Sequence, residues 1–198
     1  DIGGNFGINF IGASGGQFNN NVGGTVTLSG NYLAPITGAG GTFSNAGTLV
    51  KTSTTAQTLE SATVNTGTIN INAGTLGLSG TSSSGTIALV GTGLVFSGGT
   101  NSVTGLLNGT GALTFSGGTN TVTPAVGSTL TSPGTLTVSG GTSAVTMPAA
   151  WTPVTVSITG GTLDTGATRV TTSSWTQSNG TFNTAGTVTI PSGGAFNW

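Results

Sequence analysis

The chain has 198 residues, 38 of them glycine, with charged residues at 3% and a formal net charge of −1. Ordinary globular domains carry about 25% charged residues, so this is not the composition of a cytosolic enzyme. The charge balance excludes the Lys and Arg clusters needed for nucleic acid or a polybasic membrane anchor. No apolar run reaches the ~20 residues of a membrane span, and cysteine is absent.

The chain starts at Asp1 with no Met and no signal-peptide pattern, and reads as a mature chain or a fragment of something longer. Residues 1–24 are richest in Gly and Asn and read as an irregular N-terminal segment of one domain spanning 1–198. Ile11-Gly12-Ala13-Ser14-Gly15-Gly16 still matches the repeat described below loosely. Short strands are then predicted at 24–29, 67–72, 85–90, 134–139 and 186–190. Each alternates Val, Ile or Leu with Thr, Ser, Asn or Ala and is bounded by glycine. Alternation sends the aliphatic set to one face and the hydroxyls to the other. No helix is predicted, because glycine or a β-branched residue interrupts every window.

Between these strands a phrase recurs near every twentieth residue. Leu94-Val95-Phe96-Ser97-Gly98-Gly99-Thr100-Asn101 returns as Leu113-Thr114-Phe115-Ser116-Gly117-Gly118-Thr119-Asn120. It returns again as Leu136-Thr137-Val138-Ser139-Gly140-Gly141-Thr142-Ser143. Looser copies start at Leu76, Val156 and Trp175. Two folds use such strands, an antiparallel sandwich and a parallel solenoid. The repeat selects the solenoid, where each position stacks on its equivalent one coil away, at about 4.8 Å. The expected ladder runs Leu76, Leu94, Leu113, Leu136, Val156, Trp175 beside Phe96, Phe115, Val138, Ile158. Asn101 and Asn120 are expected at a corner in left-handed conformation, and the Gly98-Gly99-type pairs at a second corner. At roughly 20 residues per coil the expectation is nine to ten coils and a rod about 45 Å long. Residues 147–153 read as a loop inserted in a coil, since prolines interrupt ladders. Gly41-Thr42-Phe43-Ser44-Asn45-Ala46-Gly47-Thr48-Leu49 is echoed near the end by Gly180-Thr181-Phe182-Asn183-Thr184-Ala185-Gly186-Thr187-Val188.

The stretch from Leu106 to Leu130, through Gly109, Gly111, Leu113, Phe115, Gly117 and Leu130, resembles the passenger-domain repeat of bacterial autotransporter adhesins. The Phe43-Ser44-Asn45-Ala46-Gly47-Thr48-Leu49 phrase resembles repeats of filamentous-haemagglutinin-like surface proteins. The resemblance implies a right-handed parallel β-solenoid (β-helix), secretion, and adhesive or scaffolding use at the bacterial surface.

Chemistry is scarce. With no His and no Cys, triads, thiol nucleophiles and zinc sites are excluded. A glycosidase needs two carboxylates across one bond. Glu60 and Asp164 lie about five coils apart, on the order of 24 Å. No enzyme, cofactor or metal is expected. Lys51 with Glu60, and Asp164 with Arg169, read as solvated charges or weak surface pairs. Trp151, Trp175 and Trp198 read mainly as corner or end fillers, with a sugar-stacking platform as the sharper reading. The Thr-x-Thr pairs, among them Thr25/Thr27, Thr121/Thr123, Thr129/Thr131 and Thr135/Thr137, fall at irregular phases, unlike a regular ice-matching array. Asn108-Gly109-Thr110 and Asn179-Gly180-Thr181 fit the N-glycosylation pattern. The expected role is an extracellular adhesin stalk or self-assembling fibre subunit. Its partners are further coils, other copies end to end, or a host or matrix glycan. Ice or glycan binding through outward Thr and Trp is the alternative.

Overall fold

The computed structural model describes residues 2, 7–9, 15–38, 40–90, 93–130 and 134–198. These contain strands and no helix, and the chain winds as a parallel β-solenoid with three faces. The first face is a sheet of ten strands, from Ile8–Asn9 to Ala195–Asn197. The second has nine, from Gln17–Asn20 to Thr181–Asn183. The third has five, from Thr25–Leu28 to Leu107–Gly109, and resumes as two short strands at Val170–Thr171 and Val188–Thr189. Nine strands on the second face make eight steps, so the described rod has about eight turns, slightly fewer than nine to ten. The excess arises because several turns are longer than the roughly 20 residues assumed for every coil. The register step from Ile8 to Ile36 takes 28 residues, and those from Ile36 to Leu59 and from Phe115 to Val138 take 23 each. At the parallel-strand spacing eight turns span about 38 Å.

Equivalent residues stack in register. One inward column of the first face runs Gln57, Leu76, Leu94, Leu113, Leu136, Val156, Trp175, Phe196. Its neighbour runs Ile36, Leu59, Leu78, Phe96, Phe115, Val138, Ile158, Gln177. Phe96 and Phe115 stack at 5.5 Å with rings 12° apart. Inward residues from Leu76 to Ile158 in both columns are fully buried or nearly so. The interior is thin, but each buried side chain touches the turn before and the turn after, so the core is continuous. The 41–49 and 180–188 phrases occupy the same place, with Phe43 and Phe182 in one column of the second face.

Two corners explain the glycines. Gly99, Gly118, Gly141, Gly161 and Gly180 sit between the first and second faces with φ between +63° and +83°. The Gly-Gly pairs therefore form a stacked corner that residues with Cβ enter only at a cost. Between the second and third faces Gly47, Gly67, Gly85 and Gly105 stack for a different reason. A Cβ there would lie 1.8–2.3 Å from a carbonyl oxygen of the preceding turn.

Asn101 and Asn120 are not at a corner. Every left-handed residue among those described is glycine, and both asparagines point inward from mid-strand, buried. Residues 147–153 are not an insertion either. The step from Val138 to Ile158 takes the usual 20 residues, and the segment closes the third side, with Met147 and Trp151 buried and Trp151 bridged to Val170. The longer connection lies just before it, after Val122. In the 1–24 segment, Gln17–Asn20 pairs in register with Thr42–Asn45. The loose repeat copy at 11–16 falls mostly outside the described residues, as do Asp1 and Thr131.

Candidate functional surfaces

The interior carries polar groups that alternation alone places there. On the second face one inward column reads Asn20, Asn45, Asn65, Ser83, Val103, Val122, Val145. The amides chain together: Asn20 Nδ2 donates to Asn45 Oδ1 at 2.7 Å, Asn45 Nδ2 to Asn65 Oδ1 at 2.7 Å, and Asn65 Nδ2 to Ser83 Oγ at 3.0 Å. Each Nδ2 also donates across the glycine corner, to Thr48, Thr68 and Thr86 carbonyls at 3.0, 3.0 and 3.3 Å. In the adjacent column Asn101 Nδ2 donates to Asn120 Oδ1 at 2.8 Å, and Asn120 Nδ2 to Ser143 Oγ at 3.1 Å. Buried amides satisfied this fully rigidify a core instead of weakening it.

Lys51 is the clearest departure from the sequence reading. It is 0% exposed and stands in an aliphatic column between Leu28 and Ile71. Its Nζ donates to the carbonyls of Ser53, Thr55 and Ala73 at 2.5, 2.7 and 3.1 Å. It is neither solvated nor paired with Glu60, whose carboxylate accepts from Thr37 Oγ1 at 2.7 Å. Burial lowers the lysine's pKa from its ordinary 10.5. The signal was present in the alternation: if Leu49 points inward, so does Lys51. Asp164 accepts from the Gly166 N–H at 2.8 Å, a local turn bond, and forms no ion pair with Arg169. Glu60 and Asp164 stand about five turns apart, as the spacing implied.

The outward surface is hydroxyl-rich. Thr100, Thr119, Thr142, Thr162 and Thr181 form one column of the second face, and Thr25, Thr48, Thr68 and Thr86 one column of the third. The column beside the first set reads Ser102, Thr121, Ala144, Asp164, Asn183. Beside the second it reads Thr27, Val50, Asn70, Ala88. The Thr columns are thus single rows whose neighbours change from turn to turn. Thr25/Thr27 and Thr135/Thr137 lie on different faces, which is why their phases were irregular.

Trp151 and Trp175 are buried, so the three tryptophans make no common platform. Trp198 is 84% exposed and continues an aromatic stack through Phe196 to Trp175, with centroids 6.1 and 6.3 Å apart. It forms one wall of an open cleft of about 480 Å³, with Thr176, Gln177, Asn179 and Asn197 on the others. Gln177 is 7% exposed and its Oε1 has no hydrogen-bond partner. Among the described residues no three His, Cys, Asp or Glu side chains converge to hold a metal ion, and no helix is long and apolar enough to cross a membrane.

No protein-family model matches the chain, and neither a curated protein nor a solved structure does. The resemblance to adhesin repeats therefore rests on the sequence phrases alone.

Proposed function

We propose that the chain is a structural element of the bacterial cell exterior, serving as an adhesin stalk or as a self-assembling fibre subunit. The observation that carries this reading is the continuity of the inward columns of the first face, which holds across a one-residue register shift between Leu78 and Ser79. Matched side chains follow one another from Ile36 to Gln177, and the backbone ladder accompanies them. Such a stack resists bending and leaves few loops for proteases. At the last described strand, Ala195–Asn197, one inward column reaches an exposed aromatic, Phe196, 53% exposed. An open strand edge over an apolar column is a template for another turn, of the same chain or of a second copy. The low net charge offers little repulsion against such stacking. Negative-stain microscopy and sedimentation of the purified chain test the reading. Filaments, or association that rises with concentration, are expected of a fibre subunit and single short rods of a stalk segment. Collapsed particles with no rod shape refute both.

The cleft beside Trp198 favours a second reading, binding of an uncharged glycan. An exposed indole stacks on the C–H face of a sugar, and the Gln177, Asn179 and Asn197 amides match hydroxyls. Because Trp151 and Trp175 are buried, fluorescence quenching by a polysaccharide would report Trp198. Quenching that survives in Trp198→Ala removes this reading.

A further inference from the structure

The sequence contains two Asn-Gly dipeptides, Asn108-Gly109 and Asn179-Gly180, and the fold treats them oppositely. Asn-Gly is the dipeptide most open to ring closure, because no side chain on the second residue shields its amide nitrogen. Asn108 lies at the end of the third face, with Ala88↔Asn108 and Leu89↔Gly109 in register. Its Oδ1 accepts from Thr129 N at 3.0 Å and from Thr129 Oγ1 at 3.3 Å. The Gly109 N–H donates to Thr129 Oγ1 at 3.1 Å. Both reacting groups are thereby tied to the next turn, and the carboxamide cannot rotate onto the glycine nitrogen without breaking those bonds.

Asn179 is exposed, at the corner between the first and second faces. The Gly180 N–H donates to Asn179's own Oδ1 at 2.8 Å, whereas the ladder between turns resumes only at Thr181 N→Gly161 O, 2.8 Å. The side chain is folded back over the nitrogen that would attack it. We infer that Asn179 is a site of spontaneous modification, closing to a succinimide and opening to aspartate or isoaspartate, while Asn108 is protected by Thr129. The inference is independent of the role proposed above.

The step balances with water as the only co-reactant. Gly180 N loses its proton to hydroxide and bonds to Asn179 Cγ. The Cγ–Nδ2 bond breaks, and the nitrogen takes a proton from water and leaves as ammonia, which restores the hydroxide. Water then opens the ring at either carbonyl, and no oxidation occurs. The product adds one negative charge to a chain of formal net charge −1 and places it in the cleft beside Trp198. The isoaspartate form also lengthens the backbone by one carbon, directly under a stacked glycine corner.

The test is peptide mapping by mass spectrometry after incubating the folded chain in mildly alkaline buffer. Deamidation at Asn179 is expected to outrun that at Asn108 by about tenfold or more, the ratio of a ~1.4 kcal/mol barrier difference. In urea the two sites should converge, because the local sequences match. In folded Thr129→Val, Asn108 should accelerate toward Asn179. An intact Asn179 overturns the inference, as does an Asn108 that keeps pace in the folded wild type or stays slow in Thr129→Val.

Discussion

Substituting alanine at two glycines separates the two reasons this chain needs them. Gly67 stands at the corner between the second and third faces. A Cβ there would meet Gly47 O at 2.1 Å, over an ångström inside ordinary contact, although its backbone is not left-handed. Relief requires the turns to part locally by about 1 Å. Thr68 N→Gly47 O, Gly67 N→Asn45 O and Thr66 N→Asn45 O, each 2.9 Å, would then stretch past bonding distance. Three bonds at about 1 kcal/mol each, plus the cost of a carbonyl left buried without a partner, give about 4 kcal/mol for Gly67→Ala. Gly80 has φ +72°, but its nearest prospective contact is 4.0 Å away, at Ala62 Cα. Alanine there faces only the left-handed penalty, about 1–2 kcal/mol. Urea unfolding followed by the fluorescence of buried Trp151 and Trp175 reads both. Equal costs, or a Gly67→Ala loss below about 1 kcal/mol, would refute the close stacking of turns at this corner.

Three further outcomes follow from the interior. Phe115→Ala opens a cavity in the middle of the Phe96–Phe115 stack and should cost about 3–5 kcal/mol, against about 1 kcal/mol or less for half-exposed Phe196→Ala, measured by the same unfolding curves. Asn45→Ala removes two donated bonds and one accepted bond and should cost about 3 kcal/mol in a thermal melt, while exposed Asn183→Ala should change little. Lys51 binds its proton less tightly folded than unfolded, so its penalty is absent above 10.5 and fully present below the folded value. The urea midpoint should therefore rise as pH climbs toward 10.5, and Lys51→Met should flatten that rise.

The first face was legible in the sequence because it is the same sentence repeated. Leu94, Leu113 and Leu136 open closely similar phrases, and parallel stacking favours like lying on like. The second face was half legible. Its outward threonines follow the Gly-Gly corners at fixed distance, but its inward positions change chemistry from Phe43 to Thr63 to Asn101 to Leu163, so no single residue type marks the column. Assigning Asn101 and Asn120 to a corner followed from asparagine's usual preference, which burial and a continuous amide chain override here. Lys51 was misread for a similar reason. Charge suggests solvent, and only the parity of its strand, set against three carbonyls contributed by loops on two turns, places it inside. The cleft was illegible because Trp198 and Gln177 come from different turns, and Gln177 sits at a position where every preceding turn from Ile36 on has an apolar residue.

That contrast between faces bears on how one register is chosen. A column of leucines tolerates a slip of one whole turn, because leucine replaces leucine and the backbone ladder reforms. The first face therefore specifies the period but not the position along the rod. The second face does specify position. Its amide chain occupies one column from Asn20 to Ser83 and the other from Asn101 to Ser143, with the crossover between Ser83 and Val103. If the turn holding Asn101 skipped a turn and paired with that of Asn65, Val103 would lie against Asn65 and deprive its amide of Ser83 Oγ. An unpaired buried amide costs about 1–3 kcal/mol, and each slipped turn near the crossover adds another. Polar residues inside a repeat thus work as an address, as single buried asparagines do in coiled coils. Replacing Asn20, Asn45 and Asn65 together by valine should leave the far-ultraviolet circular dichroism β-rich while spreading the native species into several by native gel or ion mobility. A single sharp species with wild-type hydrogen-exchange protection would show that the leucine columns and glycine corners fix the register without the amides.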